Sequence, residues 1–140
     1  MTTEQNKAAL RRFREAVDAG DVNAAVAAFA PNALVHMPGA PEPLNLESFS
    51  HVFEALLTAF PGGKSTIEDL VAEGDKVVSR LTFRGTQTGD LMGIPPTGKT
   101  VTISETIIDR FADGKIVELW RLFDQMGMMQ QLGVIPEPAH

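Results

Sequence analysis

The sequence predicts an α+β domain in which helices come first and antiparallel strands follow. Apolar residues recur at helical spacing through roughly the first 60 residues, and from Ser65 onward the hydrophobic period changes to two. Gly74-Asp75 and Asp113-Gly114 mark turns between pairs of strands. A run of helices followed by a run of strands is typical of an α+β fold, whose curled sheet can leave an apolar cavity at one end.

Two helices are predicted at the N-terminus. Thr3 is the expected N-cap of the first, which ends at Gly20 and has an apolar face made of Ala9, Leu10, Phe13 and Val17. Asp21 is expected to cap the second helix, whose apolar stripe ends before Pro31 and consists of Val22, Ala25, Val26 and Phe29.

A short strand and a third helix follow. Residues 33–37, which include His36, predict a strand, and a loop rich in proline comes after it. The third helix is expected from about Leu46 to Phe60, with Phe53 among its inward residues, and Pro61-Gly62-Gly63 ends it.

Four strands are predicted in the second half, at about 65–73, 76–84, 100–111 and 115–124. Between the second and third of these lies the segment 85–99, GTQTGDLMGIPPTGK, which is dense in Gly, Pro and Thr. It is too long for a hairpin turn, and we expect it to cross one end of the sheet.

Composition narrows the class of protein. A chain of 140 residues is expected to form one domain, 1–140, with a flexible C-terminal tail from about residue 134. A net charge of −6 argues against nucleic acid and anionic membranes as partners. The N-terminus lacks the apolar core of a signal peptide, so a cytoplasmic location is expected. With no cysteine, and with three scattered histidines, His36, His51 and His140, no metal site is expected.

The last predicted strand contains the most informative candidate. Ile116, Glu118, Trp120, Leu122 and Asp124 occupy every second position of KIVELWRLFD and are expected to share one face. A carboxylate on a mostly apolar face is costly to bury as an anion, which makes Asp124 a candidate acid/base. The alternative is that Asp124 caps the segment after the strand or faces solvent.

Several segments together resemble a known family. The stretches FAPNALVHMPG, GTQTGDLMGIPPTGKTV and DGKIVELWRLFDQMGMMQQLG occur in an order that resembles the SnoaL-like polyketide cyclases, over about residues 6 to 133. The resemblance implies a nuclear-transport-factor-2-like cone, with three N-terminal helices packed on a curved, mostly antiparallel sheet around a pocket. It also implies a homodimer that pairs through the open face of the sheet.

The resemblance further implies a chemistry. Characterised members close a ring by intramolecular aldol condensation with no metal and no cofactor, and a carboxylate at the position of Asp124 serves as general acid/base. The expected ligand is an apolar small molecule, and Trp120, Leu122 and Phe53 are expected to contact it. His36 matches a histidine that often faces the pocket in the family, although a histidine in an apolar strand is commonly a core or rim residue.

Three polar residues complete the candidate site. Gln87 stands where relatives often carry histidine, and it can still donate and accept hydrogen bonds to a substrate. Arg80 either lies near Asp124 and binds substrate or belongs to a solvated outer face. Glu105 is either a second carboxylate of the pocket or, as the pattern slightly favours, an edge residue that pairs outside it.

Different functional classes remain open on this scaffold. The first is a cyclase-type enzyme, and the second is a binding domain without catalysis. A third is an epoxide hydrolase of the limonene-epoxide type or an isomerase. The hydrolase ranks lowest because the central strands contain no Arg-x-Asp pair.

Overall fold

The structure, a computed structural model, describes residues 1–136. His140 and the rest of 137–140 lie outside the described residues. The elements in chain order are α1 (Thr3–Asp18), α2 (Val22–Ala27), β1 (Phe29–His36), α3 (Leu46–Ala59), β2 (Lys64–Glu73), β3 (Lys76–Thr86), β4 (Thr100–Ala112), β5 (Lys115–Phe123) and α4 (Gln125–Leu132). The predicted α+β class, with three helices before the main run of strands, is confirmed.

Helix boundaries follow local capping chemistry, and one predicted cap was wrong by a residue. Thr2, not Thr3, caps α1, because its side chain accepts from the Gln5 backbone while the Gln5 side chain accepts from the Thr2 backbone. This reciprocal pair is a capping box. Asp21 caps α2 as predicted, by accepting from the Ala24 backbone at 3.1 Å.

Two elements differ from the predicted pattern. Phe29 begins strand β1 and does not extend the stripe of α2, so the strand starts four residues earlier than the predicted 33. The methionine-rich segment after β5 forms α4, a helix that is absent from the predicted elements. The other strand ends agree with the predicted ones to within two residues.

The five strands form one sheet in the order β1-β5-β4-β3-β2. β1 pairs in parallel with β5, and the other neighbours are antiparallel. Pairing shifts register within β1–β5, β2–β3 and β4–β5. Such bulges increase local twist and help a sheet curve around the helices that cover one face.

The bulge in β5 decides which side chains point inward. Arg110 pairs with Glu118 but the next residue, Phe111, pairs with Ile116, so Val117 is an extra residue in β5. A shift of one residue moves every later side chain to the opposite face. Ile116 and Leu119 are therefore both buried against the helices, while Glu118 lies on the outer face.

A buried glutamine organises the segment that crosses the end of the sheet. The Gln87 side chain donates to the carbonyls of Gly89, Ile94 and Pro95, and it accepts from the backbone and hydroxyl of Thr97. Gly89 lies directly against the Thr58 carbonyl at the end of α3, and a Cβ at this position would collide with that oxygen. The segment therefore packs directly against the end of α3.

No helix within residues 1–136 combines the length and apolar character that crossing a membrane requires.

Candidate active site

A cavity lies between the helices and the inner face of the sheet. Its volume is about 120 Å³, and it is partly open to the surface. Six of the eight phenylalanines line it: Phe13, Phe49, Phe53, Phe60, Phe83 and Phe123. Arg14, Asp18, Ser65, Glu105 and Arg121 supply its polar wall. An aromatic chamber with a few convergent polar groups is the usual form of a small-molecule site.

Glu105 and Arg121 form an ion pair in this wall. The two oxygens of Glu105 accept from Nε and Nη2 of Arg121 at 3.0 and 3.1 Å, and Glu105 is only 5% exposed. The Arg121 guanidinium also lies 4.3 Å from the centre of the Phe123 ring. Bidentate pairing and the aromatic contact hold both groups in a defined orientation.

Arg14 brings a second guanidinium to the cavity from α1. Its Nη2 donates to the Ser65 hydroxyl at 3.2 Å, and the Ser65 backbone donates to the Asp18 carboxylate at 3.1 Å. Burial lowers the pKa of Arg14, whereas the nearby carboxylates of Glu105, Asp109 and Asp18 act to raise it. The Nε of Arg14 is closed off from solvent and has no hydrogen-bond partner within residues 1–136.

Asp109 lies behind this wall, on the same face of β4 as Glu105. It is fully buried, and neither carboxyl oxygen has a hydrogen-bond partner among the described residues. Burial raises the pKa of Asp109 from 3.8 to about 7, with Arg14 acting in the opposite direction. Asp109 therefore exchanges a proton near neutral pH beside a buried cation, an arrangement that is common at functional sites.

The structure places two of the sequence-predicted site residues in the cavity wall. Phe53 projects there from α3. Glu105 is a pocket carboxylate, so the slightly favoured alternative, an edge residue pairing outside, was wrong. Whether either residue binds substrate stays a prediction.

The expectation that Asp124 lines the cavity was wrong. Asp124 is exposed at the end of β5, where its carboxylate accepts from the Gly127 backbone at 2.8 Å and caps α4. Gly127 lies so close that a Cβ there would collide with the carboxylate. The capping alternative, which the sequence had left open, describes its position.

His36, Trp120 and Leu122 lie on the outer face of the sheet, so their expected place in the cavity was also wrong. The bulge at Val117 turns Trp120 and Leu122 away from the helices, and Leu122 is 68% exposed. The His36 and Trp120 rings stack with centroids 5.2 Å apart and, together with Leu122, line a second and more open pocket on this face. The site thus contains no imidazole from β1.

Glu118 joins His36 in a small network on that outer face. One of its oxygens lies 2.6 Å from His36 Nε2, and the other accepts from Arg110 at 3.2 Å. The hydrogen bond from His36 lowers the pKa of Glu118, with a further contribution from Arg110. Glu118 thus pairs with Arg110 across β4 and β5.

Arg80 and Gln87 do not reach the cavity either. Arg80 is 57% exposed on the outer face and pairs with Asp69 at 2.6 Å, as the solvated alternative implied. Gln87 is fully buried, and its amide is occupied by the crossing segment, so it offers no hydrogen bond to a substrate.

Sequence reasoning missed Arg14, Asp109, Arg121 and Ser65. The sequence pattern indicates the position of two of these residues. Asp109 has the same parity as Glu105 in β4, and Arg14 lies four residues after Leu10 on the apolar stripe of α1. No such pattern indicates Arg121, because the parity of β5 before the bulge assigns it to the wrong face.

Within residues 1–136, no group of three or more histidine, cysteine, aspartate or glutamate side chains lies close enough to hold a metal ion. The expectation of metal- and cofactor-independent chemistry stays a prediction.

Comparison with solved structures identifies the fold. AclR from Streptomyces galilaeus, proposed to be a hydroxylase, superposes with a TM-score of 0.90 at 25% identity, over 99% of this chain and 87% of that one. IdmH from Streptomyces antibioticus, proposed to be a polyketide cyclase, gives 0.82 at 33% identity, over 92% and 99% of the two chains. TsrD from Streptomyces laurentii gives 0.84 at 26% identity, over 96% and 99%. The expected nuclear-transport-factor-2-like fold is confirmed.

No curated protein sequence matches the chain. The family model described as SnoaL-like polyketide cyclase matches residues 7–132, which is nearly the whole chain. The resemblance seen in the sequence motifs is therefore confirmed, and the chain belongs to the SnoaL-like polyketide cyclase family.

Proposed function

We propose that the chain is a cyclase-type enzyme that closes a ring by intramolecular aldol condensation, without metal or cofactor, on an apolar small molecule bound in the inner cavity. The observation that supports this most is that the Glu105 carboxylate and two guanidinium groups gather in an otherwise largely apolar chamber. The placement of Glu105, Arg121 and Arg14 there gives the proposed chemistry a base and two hydrogen-bond donors. Asp124 and His36 are not assigned to catalysis.

The proposed reaction needs a base and a stabiliser of negative charge. Glu105 removes a proton from a carbon next to a carbonyl group, and the enolate carbon then attacks a second carbonyl carbon of the same molecule. A carbon–carbon bond forms as the π bond of the second carbonyl breaks, the resulting alkoxide takes up the proton that Glu105 had removed, and the product is an isomer of the substrate. Arg14 and Arg121 donate to the oxygens on which charge develops.

The proposal is tested with a panel of aromatic β-keto esters that carry an internal ketone, from one ring to polycyclic anthraquinone-like compounds. Ring closure is followed as a new chromatographic peak of unchanged mass. Glu105→Gln should lower turnover by about 10²–10⁴, the usual contribution of a placed general base. Glu73→Gln, at the exposed end of β2, is the matched control and should leave turnover unchanged. Equal turnover in wild type and Glu105→Gln would remove Glu105 from the mechanism.

A binding domain without catalysis is the second candidate. It is favoured by the pairing of both Glu105 oxygens with Arg121, because proton abstraction then requires one of those hydrogen bonds to be given up or shared. Saturable binding of panel compounds, with ring closure absent in the wild type, would support this candidate over the enzyme.

For assembly, we propose a homodimer that pairs through the outer face of the sheet. Leu122 and Leu34 are 68% and 43% exposed there, beside the partly buried Trp120. Apolar side chains grouped on one open sheet face are suited to contact with a second sheet.

A further inference from the structure

The polar wall of the cavity contains hydrogen-bond donors that no protein group uses. Arg14 donates from Nη2 to Ser65, and Arg121 donates from Nε and Nη2 to Glu105. The Nη1 group of each guanidinium has no hydrogen-bond partner within residues 1–136, and neither is among the atoms that are closed off from solvent. Arg14 lines only the inner cavity, so its Nη1 is available to an acceptor there, whereas Arg121 lines the outer pocket as well.

The charges around Arg14 explain why an oxygen atom is the expected partner. Glu105, Asp109 and Asp18 are the carboxylates that act on Arg14, and Arg121 is the cation that acts on it. Glu105 is engaged by Arg121, and Asp18 accepts from the Ser65 backbone. Arg14 thus has no ion pair of its own within the described residues, and its remaining donors need an acceptor supplied by a bound molecule or by water.

The size and lining of the cavity limit what that molecule is. An engineered apolar cavity of about 150 Å³ accommodates benzene, so the 120 Å³ here encloses about one ring, and a second ring would extend into the opening to the surface. The phenylalanine rings on several sides favour flat, apolar ring systems. A system of three or more fused rings would have to displace side chains of the wall.

We propose that the substrate is an enolisable ketone of one or two rings, and that Arg14 Nη1 donates to its carbonyl oxygen. The inference rests on the proposed function in that it takes the same cavity as the substrate site. It goes further by assigning a compact ligand and by naming Arg14 as the residue that distinguishes a ketone from a hydrocarbon of the same shape. The same hydrogen bond would strengthen as the oxygen becomes an enolate.

The test is a binding measurement that involves no turnover. 1-Tetralone and tetralin differ by a carbonyl group in place of a methylene, and neither can close a further ring. By isothermal titration calorimetry, the wild type should bind 1-tetralone about tenfold or more tighter than tetralin, as expected for a hydrogen bond to a charged group. In Arg14→Met this preference should fall below about threefold, while tetralin affinity is retained. Arg12→Met, at an exposed position of the same helix, should keep the preference.

Two further arms test ligand size and folding. Anthrone, a ketone of three fused rings, should bind about tenfold or more weaker than 1-tetralone. Phe53→Trp, which fills the cavity, should weaken binding of both two-ring compounds. Thermal unfolding of each variant checks that the protein remains folded.

The possible results distinguish failure of this inference from failure of the proposed function on which it rests. Equal affinity for 1-tetralone and tetralin in the wild type, an unchanged preference in Arg14→Met, or tighter binding of anthrone would overturn the inference. Ring closure that depends on Glu105 would still support the proposed function in that case. Conversely, a ketone preference that depends on Arg14, with no ring closure in the β-keto ester panel, would retain the ligand class and reject the enzyme.

Discussion

Glu105 and Arg121 lie on the paired strands β4 and β5, and the carboxylate of one accepts two hydrogen bonds from the guanidinium of the other at 3.0 and 3.1 Å. They face each other because the extra residue Val117 turns Arg121 inward. The cavity wall at this point thus depends on a bulge several residues away. Both partners are largely buried, with side-chain exposures of 5% and 14%.

Substitutions that break this ion pair should destabilise the fold, and their effects should be coupled. Arg121→Met leaves the Glu105 carboxylate buried without its cation, which costs about 3–5 kcal/mol of unfolding free energy. Glu105→Gln is expected to cost less, about 1–3 kcal/mol, because the amide oxygen still accepts from Arg121. In the double variant, the loss should be smaller than the sum of the two by about 0.5–3 kcal/mol. Urea unfolding at pH 7 measures all four proteins.

Strict additivity of the two single changes would contradict a direct interaction between these groups. The pair Arg80→Met and Asp69→Asn provides the matched control, since it removes an exposed ion pair on the outer face. That pair should change stability by no more than about 1 kcal/mol.

Asp109 should make stability fall as the pH rises through the slightly acidic range. Its pKa is about 7 in the folded chain and 3.8 ordinarily, so between these values the folded chain holds a proton that the unfolded chain releases. The unfolding free energy then decreases from about pH 4 to pH 7, by at most about 4 kcal/mol, and levels off above pH 7. Asp109→Asn lacks this dependence.

Urea unfolding of wild type and Asp109→Asn at several pH values isolates this contribution, because other carboxyl groups act equally on both proteins. The unfolding free energy of Asp109→Asn, minus that of the wild type, should increase from pH 4 to pH 7 and then stay constant. A difference between the two proteins that does not change with pH would show that Asp109 is ionised throughout.

The architecture was predictable because it depends on patterns that the sequence displays directly. The change of period at Ser65, the turn at Asp113-Gly114 and the cap at Asp21 each correspond to an observed boundary or connection. The boundary of α1 was missed because two neighbouring residues compete for the role of N-cap. Thr2 and Thr3 are both able to cap α1, and the choice rests on the position of Gln5.

The site was less predictable because one bulge in β5 reverses the face on which the later side chains lie. Alternation in β5 correctly grouped Glu118, Trp120 and Leu122, but it assigned the group to the inner face on the strength of Ile116, which lies before Val117. No residue type in KIVELW marks a bulge at that valine. By contrast, β4 pairs regularly with β3 along its length, and alternation there correctly grouped Glu105 with apolar residues but left open whether the group faces the pocket.

The outer face should mediate the proposed homodimer. Leu122→Arg places a charge in the centre of the exposed apolar group and should convert a dimer into a monomer of 15.1 kDa, as measured by light scattering at micromolar concentration. Val71→Arg is the control, because Val71 is 59% exposed but lies on β2 at the far edge of the sheet. A wild-type mass equal to one chain would refute pairing through this face.

Two substitutions of Asp124 distinguish a helix cap from a catalytic group. Asn caps helices about as well as Asp, whereas Ala does not. If Asp124 acts as the cap of α4, Asp124→Asn should retain stability and Asp124→Ala should lose about 0.5–2 kcal/mol of unfolding free energy. Ring closure should change by less than about threefold in Asp124→Asn. A general acid/base would instead lose about 10²–10⁴ in turnover with either substitution.

The two substitutions also differ in what they do to the cavity. Met128 lines the cavity from α4, so a loosened cap in Asp124→Ala should raise the KM for substrate more than it lowers kcat. Asp124→Asn should leave both values unchanged. A large fall of kcat in Asp124→Asn with unchanged unfolding free energy would return Asp124 to the mechanism, and it would require the end of β5 to turn toward the cavity when substrate binds.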